Sequence, residues 1–229
     1  MRILPLAAFS ALLLLVPSAP TAGVPKFLES VRPLMVPVVE MAVTEQGVIV
    51  DGALQNICTV SSINEKRHYW LTAAHCIEQQ DFHYYIMGEE VSIVMRDVAN
   101  DVAILQTSQV SLKALKLAKK GPEMGDIVQV GGHPFGWLYS ILATGQVMHP
   151  SLQPWPKNEN PIYRNYWMIL DMRGAPGNSG SPVVNKKSEV ISVVQIGWGV
   201  RDAFGNNLFG NVMGGVPFEV LAKNRNYWE

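Results

Sequence analysis

The chain contains twelve short segments that are apolar or alternate apolar with polar residues, and turn-forming residues separate them. Segments of this length match β-strands, and no long helical patterns lie between them as βαβ units would require. The spacing therefore predicts an all-β sandwich or barrel. The segments are Val36–Val43, Val48–Val60, His68–Ala73, His83–Met87, Val91–Met95, Val102–Gln106, Ile127–Gly131, Ile141–His149, Tyr166–Asp171, Pro182–Val184, Val190–Ile196 and Leu208–Gly215.

A polar stretch divides these strands into two groups. Residues 113–125, which contain Lys119-Lys120-Gly121-Pro122, interrupt the strand pattern. We expect a linker there, between an N-terminal six-stranded antiparallel barrel at 36–112 and a second one within 126–229, whose strands end at Gly215. Pro217 then precedes apolar residues at helical spacing, which predicts one short C-terminal helix.

The composition limits the possible partners. The chain of 229 residues is 48% hydrophobic and 16% charged, which is enough for one substantial core or two small fused cores. Its net charge of -1 gives no electrostatic footprint for nucleic acid. The chain also lacks a basic run and a phosphate-cradling glycine loop, so we expect no nucleic acid as a partner.

The N-terminal segment 1–23 has the pattern of a secretory signal peptide. Arg2 is followed by an apolar run from Ile3 to Val16 and then by small residues up to Gly23. We expect export, to the periplasm or the outside of the cell. An uncleaved membrane anchor over Ala7–Ala22 is the alternative, and Pro17 and Pro20 argue against an ordinary core helix.

Three motifs together suggest acyl-transfer chemistry. They are Leu71-Thr72-Ala73-Ala74-His75-Cys76, Asp101-Val102-Ala103-Ile104-Leu105 and Gly177-Asn178-Ser179-Gly180-Ser181-Pro182. A serine hydroxyl is a poor nucleophile, so it needs an imidazole to take its proton and a carboxylate to fix the imidazole tautomer. His75, Asp101 and Ser179 are the candidates for these roles. Asp97 is the alternative acid, and His133 is interpreted as structural.

From about Val36 to Val220, these motifs resemble the trypsin-like (chymotrypsin-fold) serine peptidases. Pro176–Pro182, with Asp171 eight residues before the serine, most resembles the bacterial Do-like (HtrA) proteases and next the secreted glutamyl endopeptidases. The resemblance implies a serine endopeptidase that hydrolyses polypeptides through an acyl-enzyme, with its site between two barrels. It implies neither a cofactor nor a metal. The backbone N–H groups of Gly177 and Ser179 would form the oxyanion hole.

The resemblance also concerns the two cysteines, Cys58 and Cys76, which are 18 positions apart. In the family, the cysteine after the catalytic histidine pairs with one on the preceding strand, and an exported protein favours such a bond. Two buried free thiols are the alternative. A metal site is less favoured because no second ligand pair has suitable spacing.

The residues that select the substrate are harder to assign. By resemblance, the base of the primary pocket falls on Arg173, whose guanidinium would favour an acidic side chain. If Arg173 faces solvent instead, Gly174, Ile196 and Gly197 form the pocket walls and a small or medium apolar residue is preferred. We lean towards this second arrangement because an unpaired buried guanidinium is costly. The backbone of Gly197, Trp198 and Gly199 resembles the segment that pairs with extended substrate.

Other functions remain open. The alternative to an active peptidase is a catalytically weak or inactive relative that binds peptides or a partner protein. An esterase is disfavoured because the Gly-x-Ser-x-Gly elbow is missing around Ser179. Asn178 replaces the aspartate that pairs with a new N-terminus in zymogen-activated members, so we expect no activation of that kind. Only 50 residues follow Ser179, so we expect no peptide-binding module after the barrel.

Overall fold

The computed structural model describes residues 23–37, 42–44, 47–49, 54–78, 82–153, 166–198 and 212–229. Of the predicted signal peptide only Gly23 falls within these ranges, and Gly199 and the start of the predicted strand Leu208–Gly215 lie outside them. None of the helices in the described ranges has the length and apolar character needed to cross a bilayer.

The N-terminal half is an antiparallel sheet of seven strands. Their order is β7-β6-β1-β4-β5-β9-β8, and β2 and β3 form a separate two-stranded ribbon. The strands are β1 (Val31–Pro37), β2 (Ala42–Thr44), β3 (Gly47–Ile49), β4 (Leu54–Asn64), β5 (Tyr69–Thr72), β6 (Tyr85–Ile86), β7 (Glu89–Glu90), β8 (Ser92–Asp97) and β9 (Val102–Gln106).

The C-terminal half is a closed six-stranded barrel with strand order β10-β11-β12-β15-β14-β13. One short α-helix, α1 (Phe218–Lys223), follows the last strand and buries Phe218 and Leu221. The strands are β10 (Ile127–Gly132), β11 (Ile141–Leu152), β12 (Trp167–Asp171), β13 (Pro182–Val184), β14 (Val190–Trp198) and β15 (Val212–Gly215).

The predicted all-β fold, with its short C-terminal helix, is confirmed, and two details differ. Within the described residues the N-terminal half is a half-barrel sheet whose edges are β7 and β8, whereas the C-terminal half is closed. β7 is only two residues long and pairs with β6, so it offers too few hydrogen bonds to join the opposite edge. The sheet also begins at Val31, five residues before the expected boundary at 36.

The predicted linker packs against both halves of the molecule. Leu115 and Leu117 are buried in a core cluster that contains residues of the N-terminal sheet and of the barrel. The Leu115 N–H donates to the carbonyl of Ser62 on β4, and the Ala118 N–H donates to the carbonyl of Val190 on β14. The linker therefore helps to fix one half against the other.

A disulfide joins Cys58 on β4 to Cys76 in a 3-10 helix, Ala74–Ile77, that follows β5. Both cysteines are buried, and their Cα atoms are 6.1 Å apart. The bond ties the turn that carries His75 to the neighbouring strand. By closing a loop of 18 residues, it restricts the unfolded chain.

We expect reduction of this disulfide to lower the free energy of unfolding by about 3 kcal/mol, from the loop-entropy relation. For a domain of this size, that loss corresponds to a fall in Tm of roughly 6–12 °C. Thermal denaturation with and without a phosphine reductant measures it. A Cys58→Ala/Cys76→Ala variant is the control, since its Tm must not respond to the reductant. An unchanged Tm for the reduced wild-type protein would contradict the prediction.

Candidate active site

His75 is held by two hydrogen bonds to one carboxylate. The 3-10 helix after β5 places its backbone N–H 2.8 Å from Oδ1 of Asp101. Its ring Nδ1 lies 2.8 Å from Oδ2 of the same side chain. Because one carboxylate oxygen fixes the backbone and the other fixes the ring, the imidazole has one orientation, and Nε2 is left for another partner.

Asp101 lies in the tight turn between β8 and β9. Its φ of 54° is in the left-handed region, which aspartate tolerates better than most residues. Asp97, the alternative acid, begins the same turn and accepts hydrogen bonds from the backbone N–H and side-chain Nδ2 of Asn100, at 3.0 and 2.7 Å. Asp97 therefore stabilises the turn, whereas Asp101 is the carboxylate that contacts His75.

The environment of His75 shifts its pKa. Burial by itself would lower the pKa, but the hydrogen bond that the ring donates to Asp101 and the negative charges of Asp101 and Glu78 outweigh it, so the pKa lies above the ordinary value of 6.5. The His75 side chain is 33% exposed and that of Asp101 is 15% exposed. The carboxylate is thus well shielded, while part of the imidazole faces the cleft.

The loop that carries Ser179 is turned sharply by two glycines in the left-handed region, Gly177 (φ 93°) and Gly180 (φ 83°). A Cβ on Gly177 would lie 2.5 Å from the carbonyl oxygen of His133, and one on Gly180 would overlap Oγ1 of Thr72 and the carbonyl of Thr59. Both positions therefore require glycine. The loop sits too close to its neighbours for any side chain at these points.

Thr59 on β4 holds the same loop from the other half of the molecule. Its backbone N–H donates to the carbonyl of Ser179 at 2.8 Å, and its Oγ1 donates to the carbonyl of Gly177 at 2.9 Å. In the described part of the chain, the N–H groups of Gly177 and Ser179 have no hydrogen-bond acceptor. The loop therefore has its carbonyls engaged and two of its N–H groups free.

Ser179 and His75 line one cleft but are not hydrogen-bonded to each other within the described ranges. The Ser179 hydroxyl instead donates to the carbonyl of Gln195 on β14, at 3.4 Å. The cleft has a volume of about 400 Å³. It is lined by Val36, Ile57, Cys58, His75, Cys76, Glu78, Phe82, Tyr84, Pro176, Gly177 and Ser179. Hydrogen bonds between catalytic groups are often long or poorly aligned in the absence of substrate, so the lack of a bond between Ser179 and His75 does not exclude the roles expected of them.

Two residues at the site were missed by the sequence analysis. Besides Thr59, the buried Gln195 donates from Nε2 to the carbonyl of Asn100 at 2.6 Å, which ties the Asp101 turn to β14. One signal was present in the sequence. Thr59 is a polar residue within the predicted strand Val48–Val60, it is buried in the structure, and a buried polar group needs a partner. Nothing in the sequence pattern distinguished Gln195 as a residue of the site.

His133 is buried and fully engaged in its loop. Its backbone N–H donates to Thr59 Oγ1 at 2.9 Å, its carbonyl accepts from Asn56 Nδ2 at 3.0 Å, and Ser140 Oγ lies 3.2 Å from its Nε2. Burial lowers its pKa. These contacts fit the structural interpretation of this histidine, since they brace the loop beneath Gly177.

The residues expected to select the substrate lie at the edge of the site. Arg173 is exposed, and no hydrogen bond or ion pair engages it in the described ranges. This is the arrangement that the sequence analysis associated with an apolar pocket. Gly174 faces Gly197, and the backbones of Ile196 and Trp198 pair with Gly214 and Val212 on β15. Gly199 lies outside the described residues.

One group of potential metal ligands lies at the site. A sulfur of Cys58, a ring nitrogen of His75 and a sulfur of Cys76 are within 4.8 Å of one another. The two sulfurs are bonded to each other, so neither is a thiolate ligand.

The chain is similar to several known proteins. Two curated relatives are probable periplasmic serine endoproteases, DegP-like. The protein from Hahella chejuensis (strain KCTC 2396) is 27% identical over 136 residues, which cover 57% of this chain and 28% of the relative. The one from Ectopseudomonas mendocina (strain ymp) is 29% identical over 132 residues, covering 55% and 26%. The chain thus spans little more than a quarter of the length of these relatives.

A solved structure, the HtrA-type protease AlgW with decapeptide, matches the fold with a TM-score of 0.63 and 16% sequence identity, over 88% of this chain and 64% of that one. The model of the trypsin-like peptidase domain family matches residues 47–193. Because this match covers more than half of the chain, the protein belongs to the trypsin-like peptidase domain family.

Proposed function

We propose that the protein is an exported serine endopeptidase that uses His75, Asp101 and Ser179. The observation that carries the proposal is the double hydrogen bond from His75 to Asp101, which leaves Nε2 of the imidazole facing the cleft that Ser179 also lines. The free N–H groups of Gly177 and Ser179 give further support, because they flank the serine where an oxyanion needs donors.

Each half of the reaction would proceed through two proton transfers at Nε2 of His75. A rotation of the Ser179 side chain moves its hydroxyl from the Gln195 carbonyl to the imidazole, which takes the proton as Oγ attacks the peptide carbonyl. The imidazolium then protonates the leaving amine, and the C–N bond breaks. In the second half of the reaction, the imidazole takes a proton from water as the water oxygen attacks the acyl carbon, and it then returns the proton to Oγ of Ser179 as the ester bond breaks, which releases the acid and restores the serine. Asp101 stabilises the imidazolium and is not itself protonated.

The proposal extends to substrate and location. Polypeptides are the substrate class, which is supported by the decapeptide in the HtrA-type structure and by the endoprotease names of the curated relatives. Export to the periplasm or beyond is supported by the relatives' periplasmic description and by the Cys58–Cys76 disulfide. The signal-peptide pattern of residues 1–23 points to the same compartment.

Labelling with a fluorophosphonate tests the nucleophile. The wild-type protein should become labelled and should hydrolyse peptides, whereas Ser179→Ala should lose both activities and remain folded. Asp101→Asn should lower kcat by about 10⁴-fold, because the imidazole is then held in the wrong tautomer.

Asp97→Asn is the matched control for the acid, since Asp97 lies in the same turn and its carboxylate accepts from Asn100 rather than contacting His75. It should lower stability and leave kcat within about tenfold of the wild type. Equal labelling of Ser179→Ala and wild type would refute the nucleophile and favour the alternative of a non-catalytic binding protein. A larger loss for Asp97→Asn than for Asp101→Asn would refute the acid.

The pH dependence of kcat/KM reports the pKa of His75 in the free protein. Because Asp101 and Glu78 raise this pKa, the limb on which activity rises with pH should have its midpoint above 6.5. Glu78→Gln should move the midpoint downwards by removing one of the negative charges. Glu219→Gln, in α1, is the control and should leave it unchanged. A midpoint below 6.5 in the wild type would contradict the electrostatic argument.

Thr59→Val tests whether β4 positions the nucleophile loop. The change keeps the shape of the side chain but removes the donor to Gly177 and the acceptor for the His133 N–H. We expect a loss of about 1–3 kcal/mol of stability. Because a misplaced nucleophile reacts slowly, the labelling rate of Ser179 should fall at least about tenfold.

Thr107→Val is the matched control for this change. Thr107 is also buried, accepts from Trp70 Nε1 and donates to Val110, but it lies away from the loop. Its loss of stability should be similar and its labelling rate unchanged. Equal labelling rates in the two variants would show that Thr59 serves stability alone.

A further inference from the structure

A groove of about 550 Å³ lies on the C-terminal barrel, and it shares no residue with the cleft that contains His75 and Ser179. The start of β10 borders this groove. At the other end of the same strand, a Cβ placed on Gly132 would lie 2.6 Å from Oδ1 of Asn178 in the nucleophile loop. The five residue steps between the two ends of β10 span roughly 17 Å. A segment bound in the groove therefore leaves the cleft open.

The floor of the groove is apolar because β10 extends past its neighbour β13. β13 pairs with Gln129 and Val130 of β10, whereas within the described residues Ile127 and Val128 pair with β11 alone. Ile127 is 43% exposed, and Val128 and Ile191, which also line the groove, are buried. An apolar side chain bound here would remove Ile127 from water, which is favourable.

Four lysines surround this floor, two from each wall. Lys119 and Lys120 lie in the segment between the two halves, and Lys186 and Lys187 lie in the hairpin between β13 and β14. All four are exposed. In the described part of the chain, no carboxylate lies within ion-pair distance of their ammonium groups. The positive charges of both walls are therefore available to a partner.

Two carboxylates also line the groove, and each is engaged by its own turn. Asp126 accepts from the backbone N–H of Glu123 at 2.9 Å, and Glu189 accepts from Nδ2 of Asn185 at 2.9 Å. Four lysines and two carboxylates give the groove an excess of positive charge, although the net charge of the whole chain is -1. The groove is thus complementary to an anionic partner.

Hydrogen bonds hold both walls in place. In the hairpin, Oδ1 of Asn185 accepts from the backbone N–H groups of Lys187 and Glu189, at 2.8 and 3.1 Å. On the other wall, the Ala118 N–H donates to a carbonyl of β14 at 3.0 Å, and the Ala118 carbonyl accepts from Nη2 of Arg225 at 2.8 Å. A groove with ordered walls loses little conformational entropy when it binds a ligand.

We propose that this groove docks an acidic segment of another polypeptide, with apolar side chains on Ile127 and carboxylates paired with the lysines of both walls. The apolar floor favours a peptide over a nucleic acid or a sulfated polysaccharide, because the charged groups of those polymers would meet the lysines and leave Ile127 uncovered. Docking does not depend on the proposed catalytic roles, so the two proposals can fail separately.

A fluorescein-labelled peptide with capped ends, Glu-Glu-Leu-Leu-Glu-Glu, tests the groove by fluorescence anisotropy. The protein carries Ser179→Ala, so that the probe is not cleaved. We expect saturable binding that weakens as NaCl is added, because exposed ion pairs are screened by salt. Peptides in which glutamine replaces glutamate, or serine replaces leucine, should each bind at least about tenfold more weakly.

Reversing one charge on each wall tests the lysines. Lys119→Glu/Lys186→Glu should raise the Kd of the probe at least about tenfold, because each change replaces an attraction by a repulsion. Lys26→Glu/Lys66→Glu is the matched control, since it changes the net charge equally at exposed lysines that do not line the groove. The control should leave the Kd unchanged.

A second pair of variants tests the floor. Ile127→Gln removes the exposed apolar side chain and should raise the Kd at least about fivefold. Ile141→Gln is its matched control, because Ile141 is 42% exposed at the start of β11 and lies outside the groove. It should bind the probe as tightly as the parent protein. If the lysine variant does not fold, this pair decides the proposal.

Several outcomes would overturn the docking site. Equal weakening by the two lysine pairs would show that affinity follows net charge and not the groove. Equal affinity of Ile127→Gln and Ile141→Gln would remove the role of the floor. If the serine-containing peptide or a heparin fragment bound as tightly as the probe, the surface would be a general polyanion site. A wild-type protein that fails to react with a fluorophosphonate would refute the proposed function and leave this binding test valid.

Discussion

The candidate site depends on the hydrogen bonds that Thr59 makes across the junction between the two halves. From β4 of the N-terminal sheet, Thr59 bonds to the carbonyls of Gly177 and Ser179 and accepts from the His133 N–H. It is completely buried, so each of these bonds forms away from water, where an unpaired partner is costly. The nucleophile loop therefore has one position relative to the sheet that carries His75. Without that constraint, two separately folded halves would not define a distance between the serine and the imidazole.

A second set of contacts crosses the junction near the acid. Gln195 on β14 donates to Asn100, and Asp97 bonds to Asn100 from within the same turn, so the segment that presents Asp101 is held from both halves. Asp101 in turn fixes the backbone and the ring of His75. The disulfide between Cys58 and Cys76 ties the 3-10 helix that carries His75 covalently to β4. The imidazole is thus rigidly placed before substrate arrives, which lowers the entropic cost of the reaction that we propose.

The Ser179 side chain is the part of the proposed site that must still change conformation. The Ser179 hydroxyl is turned to the carbonyl of Gln195, so a side-chain rotation precedes attack in the proposed mechanism. Beside it, the close approach of Gly174 to Gly197 leaves little room, and Met213 fills the space beneath. The proposed mechanism thus combines a rigid acid and base with a nucleophile that rotates.

The sequence by itself determined the fold class and proposed the site residues. Period-2 patterning and turn residues predict strands because side chains alternate across a sheet, and Pro217 marks the start of α1. Motif order likewise proposed His75, Asp101 and Ser179, whose roles stay predictions. Only the tertiary structure decided the rest: that the N-terminal half stays an open sheet in its described part, that Asp97 serves the turn while Asp101 reaches His75, and that Thr59 and Gln195 are hydrogen-bonded to Ser179. These depend on contacts between residues far apart in the chain. The physical reason is that a local pattern records which face of a strand is buried, but not which partner it meets there.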